Sequence, residues 1–200
     1  MRLSEKYKKT VAKELMQELG TKNPHAIPCL KKVSINVGMG KYLAGSKDYS
    51  QVMENITVIA GQKGYVRKAR TAISNFKVRK GMPVGISVTL RGRRMDDFLT
   101  KLVCIVLPRV RDFRGISARS FDQKGNYSIG LREYTVFPEI NADDVTKTHG
   151  LQVNIETTAR NPQEGYLLLK KLGFPFRDEP KKQKVKKHAR AMHEAKPSAL

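Results

Sequence analysis

The stretch "PVGISVTLR", from Pro83 to Arg91, alternates apolar residues with small or polar ones along its whole length. Successive side chains of a β-strand point to opposite faces of the sheet, so the valines, isoleucine and leucine of this stretch would share one face. The glycine, serine, threonine and arginine between them would share the other. This period of two predicts a strand with one face against an apolar core and the other in water.

Other segments repeat the same alternation. "KKVSINVG", which starts at Lys31, and "LQVNIETTA", which starts at Leu151, place apolar residues at alternate positions, from Val33 to Val37 and from Leu151 to Ile155. The segment Tyr127–Leu131 alternates in the same way, and a shorter strand is predicted near Tyr65–Lys68. The chain therefore contains the strands of a sheet that is apolar on one side and polar on the other.

Helical periodicity marks the segments between the strands. In Leu3–Leu19 apolar residues recur at four-residue steps, and Asn161–Gly173 has a capping residue and a proline at its start and a glycine at its end. The other predicted helices are Lys47–Ala60, with Ser46 as its cap, and Arg94–Leu107.

These elements predict an α+β fold, in which helices pack on one face of a mostly antiparallel sheet and the other face stays open. Residues 1–176 would form this single domain, and the basic residues 177–200 would be a disordered tail. The open face would present Lys32, Ser34, Asn36, Ser87, Thr89, Arg91, Gln152 and Asn154. Such short polar side chains, with cations at the margins, suit a phosphate–sugar backbone.

The charge balance points to a polyanionic partner. The chain has 39 lysines and arginines against 18 acids, a formal net charge of +21, and such an excess repels itself unless a partner neutralises it. Nucleic acid is favoured over a membrane surface, because no helix combines a cationic face with a broad apolar one. The most apolar stretch, Leu102–Pro108, is too short to cross a bilayer, and the first 20 residues do not resemble a signal peptide.

One basic segment, "RKARTAISNFKVRKGMPVG" (Arg67–Gly85), concentrates this charge. No acid occurs between Glu54 and Asp96, so local ion pairs cannot offset the repulsion. Phe76 lies in the middle of the segment, where an exposed ring could stack on a base or a sugar. The pattern therefore favours RNA binding over an ordinary solvated surface.

Catalytic and metal-binding patterns are weak. The histidines are scattered, and the basic segment has no carboxylate for general acid–base chemistry. Cys29 and Cys104 fit neither a zinc site nor a disulfide framework and are predicted to be buried. We therefore predict a protein that is not an enzyme and has no metal or cofactor, with an RNA-processing enzyme and a DNA-packaging protein as alternatives.

Six motifs in order resemble the bacterial-type large-subunit ribosomal protein five family, collinear from Leu3 to Phe176. They are "IAGQK", "SNFKVRKGMPVG", "VTLRG", "LPRVRDFRG", "SFDQKGNYSIG" and "FPEI". The resemblance implies a structural role in translation on a bacterial-type ribosome, in the cytoplasm or in an organelle. The implied partners are 5S rRNA, large-subunit rRNA and other proteins of the central protuberance, where 5S rRNA is attached. The chain departs from the family pattern at Gly64, Arg93 and Gln123.

The resemblance also implies roles for individual residues. Those implied to bind 5S rRNA are Lys32, Asn36, Gln62, Lys63, Phe76, Thr89 and Arg91. The loop implied to reach P-site tRNA contains Lys77, Arg79, Lys80 and Gly81. The segment from Arg109 to about Asn126 resembles the part that faces small-subunit ribosomal protein thirteen, with Arg109, Arg111, Asp112 and Arg114 at this bridge. For the tail, the sequence leaves two roles open, contact with nearby RNA phosphates and solubility alone.

Overall fold

The computed structural model describes residues 3–21, 23–40, 49–140 and 148–177. Within these ranges the strands are β1 (Leu30–Gly38), β2 (Tyr65–Lys68), β3 (Pro83–Leu90), β4 (Tyr127–Leu131) and β5 (Leu151–Thr157). They form one sheet in the order β2-β3-β1-β5-β4, and every neighbouring pair is antiparallel. The predicted α+β class is confirmed.

Helical runs precede, separate and follow the strands along the chain. Run α1 comprises Leu3–Lys6, Tyr7–Val11 and Ala12–Leu19, α2 is Ser50–Ala60, α3 comprises Gly92–Lys101, Leu102–Val106 and Leu107–Arg109, and α4 is Pro162–Leu172. Short 3-10 turns occur at Pro24–Ala26, Ser74–Phe76, Ala118–Ser120 and Tyr134–Val136. The predicted cap Ser46, the start of its helix at Lys47, and tail residues 178–200 lie outside the described ranges.

Run α3 differs from its prediction at both ends. It starts at Gly92 instead of Arg94 and continues past Leu107 to Arg109, so Pro108 does not end it. A proline inside a regular α-helix removes a hydrogen bond and collides with the carbonyl four residues earlier. Here the preceding turn is a wider π-helix, in which the Leu107 N–H donates to the Leu102 carbonyl. The regular bonding pattern has therefore already been left before the proline is reached.

The apolar side chains of the sheet lie beneath the helices. Ile35 of β1 is opposite Val88 of β3 and Val153 of β5, and each of the three is at most 2% exposed. One core cluster joins them to side chains from every helical run, among them Leu15, Ile56, Phe98 and Leu168. The helices thus cover the apolar face, and the polar face on the other side is left open.

An aromatic cluster closes one end of the core. The rings of Phe121, Tyr127, Tyr166 and Phe176 lie with centroids 4.5 to 6.2 Å apart. The Tyr127 hydroxyl donates to the Ser117 carbonyl at 2.7 Å, and burial raises the pKa of Tyr127 to about 12. This cluster fixes the segment before β4 against the helix α4 and the chain that follows it.

The cysteine prediction is wrong for one residue and holds only in part for the other. Cys104 is exposed, because it lies on the outer side of the π-helical turn, and Cys29 is half-buried. The Cys29 N–H donates to the Thr158 hydroxyl at 2.9 Å, so this residue helps to join the approach to β1 with the end of β5. None of the helices in the described ranges has the length and apolar character that a membrane span requires.

Candidate nucleic-acid interface

The strand register brings the predicted strand residues to one surface, which we call the open face. Asn36 lies opposite Ser87 on β3 and Gln152 on β5, and Thr89 lies opposite Ser34. Directly paired residues of antiparallel strands project from the same face, as do residues two or four apart on one strand. Lys32, Asn36 and Thr89 therefore share this face, as the alternation predicts.

Arg91 continues the same face one residue beyond β3. Its backbone is extended, with φ −140° and ψ 160°, and it follows the paired residue Leu90. The extended conformation keeps the alternation, so Arg91 projects on the side of Thr89. Its side chain is exposed at the margin of the sheet.

Gln62 is held at the same margin by hydrogen bonds. Its amide donates to the Thr89 carbonyl at 3.4 Å and accepts from the Arg94 guanidinium at 3.1 Å. The turn after α2 is thereby joined to the end of β3 and the start of α3. Lys63, the next residue, is exposed beside it.

Arg67 is a cation of the open face that the alternation of Pro83–Arg91 does not reveal. It belongs to the edge strand β2, where it lies opposite Gly85 of β3. Its Nε donates to the Ser87 hydroxyl at 2.9 Å, and its guanidinium lies 5.4 Å from the Tyr65 ring centroid. A guanidinium over an aromatic face is an ordinary cation–π contact. Since Arg67 follows Tyr65 by two residues, the period of β2 was the signal that could have identified it.

Glycines form the floor of a groove on this face. The groove has a volume of about 700 Å³, and its lining includes Gly38, Gly85, Gly130 and Gly150 together with Asn36, Gln152 and Arg67. A Cβ at Gly38 or Gly130 would meet nothing within 4 Å. The absence of side chains leaves the strand backbone accessible, so a sugar–phosphate chain can approach the sheet closely.

Lys32 is not an isolated cation, which the sequence reasoning did not predict. Its Nζ lies 2.8 Å from Glu156 Oε2, and Lys31 Nζ lies 3.2 Å from Glu156 Oε1. The hydrogen bond from Lys32 is the main cause that holds the pKa of the Glu156 carboxyl below its usual value. The open face therefore carries an ionised acid between two lysines.

The basic segment forms an ordered arm, residues 69–82, that leaves the sheet between β2 and β3. Ala69 donates to the Met82 carbonyl at 2.8 Å and accepts from Gly81 at 2.9 Å, and a bridge between Ile73 and Val78 closes the far end. These backbone bonds make the arm a projection whose two halves are paired at its base and near its tip.

The tip of the arm displays the predicted aromatic ring. Phe76 is 75% exposed and ends the 3-10 turn Ser74–Phe76, after which Lys77 adopts a left-handed φ of 53°. Lys77, Arg79, Lys80 and Gly81 are all exposed. An apolar ring held in water next to these cations has no role in the core of the described chain.

The residues predicted for an intersubunit bridge lie elsewhere, at the end of α3 and on the loop that follows it. Arg109, Arg111, Asp112 and Arg114 are exposed, and Asp112 has a left-handed φ of 52°. Two backbone hydrogen bonds hold the base of the loop. The Ile116 N–H donates to the Pro175 carbonyl at 2.8 Å, and the Ile116 carbonyl accepts from the Arg177 N–H at 3.0 Å. The structure thus places two cationic projections, the arm and this loop, outside the sheet.

The chemistry of these surfaces is that of binding. In the described ranges no three histidine, cysteine or acidic side chains come together as a metal site would need. Amide, hydroxyl and cationic groups on the open face can donate to phosphates and read base edges. The exposed ring can stack on a base.

Comparison with known proteins identifies a family. The pattern described as "Ribosomal protein L5" matches residues 23–79, and the pattern for the C-terminus of the same ribosomal protein family matches residues 83–176. The large ribosomal subunit protein uL5 of Roseiflexus sp. (strain RS-1) is 52% identical over 177 residues, covering 88% of this chain and 98% of the relative. The uL5 of Anaeromyxobacter sp. (strain Fw109-5) is 50% identical, with the same coverage. The uL5c of Pyropia yezoensis is 49% identical over 88% of this chain and 97% of its own length.

Proposed function

Because the chain belongs to the ribosomal protein L5 family and is a non-enzymatic, rRNA-binding constituent of the large ribosomal subunit, we propose that it binds 5S rRNA through its open face and arm. In this role it attaches 5S rRNA to the central protuberance. The observation that carries the proposal is the common face of Asn36, Thr89 and Arg91, which lies on the side of the sheet opposite the helices of the described ranges.

The open face supplies specificity for the RNA, and exposed cations supply affinity. Lys32, Asn36, Gln62 and Thr89 are attached to strands or held by hydrogen bonds at the sheet margin, so their donors and acceptors have fixed positions. Such contacts to base edges and riboses specify an RNA, whereas phosphate contacts mainly position it. The exposed cations Lys63 and Arg91 at the sheet margin neutralise phosphates of this RNA and release counterions, which gives affinity.

Phe76 extends the proposed RNA contact beyond the sheet. Its exposed ring is at the far end of an arm that backbone hydrogen bonds close at the base, at Ala69, and near the tip, between Ile73 and Val78, so its position relative to β2 and β3 is defined. Single-stranded RNA loops present unstacked bases to such rings. We assign Phe76 to stacking on a base of 5S rRNA, with Lys63 on a neighbouring phosphate.

The two cationic projections have separate proposed partners. The arm residues Lys77, Arg79, Lys80 and Gly81 are proposed to contact P-site tRNA. The loop residues Arg109, Arg111, Asp112 and Arg114 are proposed to face small-subunit ribosomal protein thirteen. What supports both assignments is the exposure of these side chains on bound, ordered loops. Residues 1–176 act as one RNA-binding domain in this proposal, and residues 177–200 are assigned to nearby RNA phosphates.

Binding to 5S rRNA is tested by equilibrium titration at several salt concentrations. We expect the logarithm of the association constant to fall linearly with the logarithm of salt, with a slope of several units, because each neutralised phosphate contributes about 0.7 to 0.9. A duplex DNA competitor of equal length should bind at least about tenfold more weakly. Equal affinity for both, or an affinity that salt does not change, would contradict the proposal. Chemical footprints of 5S rRNA with the full chain and with residues 1–177 locate the contribution of the tail.

A further inference from the structure

The cluster formed by Lys31, Lys32 and Glu156 is unusual for an RNA-binding surface because its centre is a carboxylate. The two carboxylate oxygens are each held by one ammonium group, at 3.2 Å and 2.8 Å. The side chains of Lys32 and Glu156 are about a third exposed, at 30% and 32%, and that of Lys31 is 63% exposed. The cluster is therefore part of the accessible surface.

A bulge in β1 builds the cluster. Leu30 lies opposite Thr157, but Lys32 lies opposite Glu156, so β1 advances by two residues where β5 advances by one. Lys31 is the extra residue. Side chains of consecutive strand residues normally point to opposite faces, whereas a bulge redirects one of them. The bulge accordingly allows Lys31 and Lys32 to reach the same carboxylate.

The position of the cluster places it within the proposed RNA contact. Lys32 is four residues from Asn36 on the same face, and Glu156 is two residues from Asn154. An RNA that lies across Asn36, Thr89 and Asn154 thus reaches the cluster at the end of the sheet. Any group that binds Lys32 must also approach Glu156, because Nζ and Oε2 are only 2.8 Å apart.

A phosphate and a hydrogen-bond donor meet this cluster differently. A phosphate that binds Lys32 has to come within a few ångströms of the negative carboxylate, which repels it and competes with it for the ammonium group. A ribose 2′-hydroxyl or a base amino group can instead donate to Glu156, because each carboxylate oxygen has a further lone pair beside the one its lysine uses. Hydrogen bonds to an ionised acceptor are stronger than neutral ones.

We propose that the Lys31–Glu156–Lys32 cluster is a selectivity element of the open face, which disfavours phosphate and accepts a hydrogen-bond donor of the RNA, a 2′-hydroxyl or a base amine. This inference rests on the proposed binding of 5S rRNA. It assigns to Glu156 a role that lowers general affinity for polyanions and raises preference for the correctly placed RNA.

The test compares Glu156→Gln with the wild-type protein on two ligands, 5S rRNA and a duplex RNA of unrelated sequence. Removing the charge should strengthen duplex binding about fivefold, the ratio expected for one unit charge at about 4 Å in a water-like medium. The salt slope for the duplex should also steepen by about 0.7 to 0.9, since one more phosphate can be neutralised. Binding of 5S rRNA should weaken about threefold to tenfold, because a neutral amide replaces an ionised acceptor. The preference for 5S rRNA then falls by more than about tenfold.

Glu18→Gln is the matched control. Glu18 lies on α1, on the helical side of the protein, and its Oε1 is 2.8 Å from Lys171 Nζ. The substitution removes one negative charge, as Glu156→Gln does, and breaks one ion pair where Glu156→Gln breaks two, but it lies away from the open face. Glu18→Gln should therefore change the preference for 5S rRNA and the salt slope less than Glu156→Gln does. Thermal melting confirms that both variants are folded.

The outcomes separate this inference from the proposed function. If the wild-type protein prefers 5S rRNA and Glu156→Gln keeps that preference, the selectivity role is wrong and the proposed function stands. If the wild-type protein shows no preference, the proposed function itself fails. Replacing single riboses of the 5S rRNA by deoxyribose distinguishes the two donors. If Glu156 accepts from a 2′-hydroxyl, one such replacement should make the wild-type and Glu156→Gln proteins bind equally. If it accepts from a base amine, no replacement should do so.

Discussion

Replacing Phe76 by alanine separates stacking from charge in the proposed RNA contact. The ring is 75% exposed, so its removal takes little apolar surface out of the folded core, and we expect the melting temperature to stay within about 1 to 2 °C of wild type. Base–aromatic stacking contributes about 1–3 kcal/mol when measured by alanine substitution. The dissociation constant for 5S rRNA should therefore rise by a factor of about 5 to 150.

The salt dependence makes this test specific. Phenylalanine carries no charge, so Phe76→Ala should lower affinity by the same factor at every salt concentration and leave the log–log slope unchanged. Lys63→Ala, at the exposed residue that is assigned to a neighbouring phosphate, should instead reduce the slope by about 0.7 to 0.9. Equilibrium binding by fluorescence anisotropy at four or more salt concentrations measures both quantities for each variant.

Ile73→Ala is the control for the arm itself. Ile73 is 46% exposed and lies on the same arm, but its backbone and not its side chain makes the bridge to Val78. Loss of an exposed aliphatic side chain should change affinity by less than about threefold. If Phe76→Ala binds 5S rRNA as wild type does while folded, or if it weakens binding no more than Ile73→Ala, the stacking assignment is refuted.

Two further predictions concern the scaffold. Gly165→Ala should lower the melting temperature by about 4 to 8 °C in a thermal melt. The new Cβ would collide with the Gly125 carbonyl oxygen, which costs about 3 kcal/mol, the upper end of the usual range for overpacking. The ~1 kcal/mol that alanine gains in a helix leaves a net loss of about 2 kcal/mol, and each kcal/mol shifts the melting temperature by about 2 to 4 °C at this chain length. Gly130→Ala, with open space around it, is the control, and equal melting temperatures for the two variants would contradict the packing. Burial lowers the pKa of His149, whose ring stacks on that of Tyr134 with the ring centroids 4.0 Å apart. The unfolded chain therefore binds a proton at His149 more tightly than the folded chain does. Unfolding free energy should then fall as the pH drops below about 6.5, and denaturant titrations from pH 7.5 to 5.5 should show a smaller fall for His149→Phe.

The strand pattern was predictable because it is local and repeated. Pro83–Arg91 alternates over its whole length, and Ile86, Val88 and Leu90 are buried as predicted, at 1%, 2% and 0% exposure, whereas Val84 at the start of the strand is half-buried. The same holds for helix α4, whose bounds Pro162–Leu172 follow from the proline at the start and Gly173 at the end, which has φ 103°. The predicted cap is different in detail. The Asn161 side chain makes no capping bond, and the Glu164 carboxylate instead accepts from the Arg160 N–H at 2.9 Å.

The features that were missed depend on pairing between distant segments. The face on which the Lys31 side chain lies depends on the register of β1 against β5. The sequence of one strand does not contain this information. Arg67 lies on the open face because β2 is the edge strand that pairs with β3. The alternation within β2 shows which residues share a face but not which side of the sheet that face is on. The order of the arm arises from bonds between its two halves, such as that from Ala69 to Met82, and a charge-rich sequence without periodicity gives no sign of them.

The two parts of the interface differ in how their cations are held, and this difference explains how one protein can be both strongly basic and selective. On the sheet, Lys32 is bonded to Glu156 and Arg67 to Ser87, so each charge has a fixed direction and a partner that an RNA must replace or match. On the arm, the cations are exposed and are followed by no acid until Asp96. A ligand that merely supplies phosphates gains most from the arm and little from the sheet. In the proposed function, the preference for a folded RNA then comes from the sheet and from the Phe76 ring. Substitutions of the arm's cations should therefore change affinity for all polyanions together, whereas those on the open face should change the ratio between them.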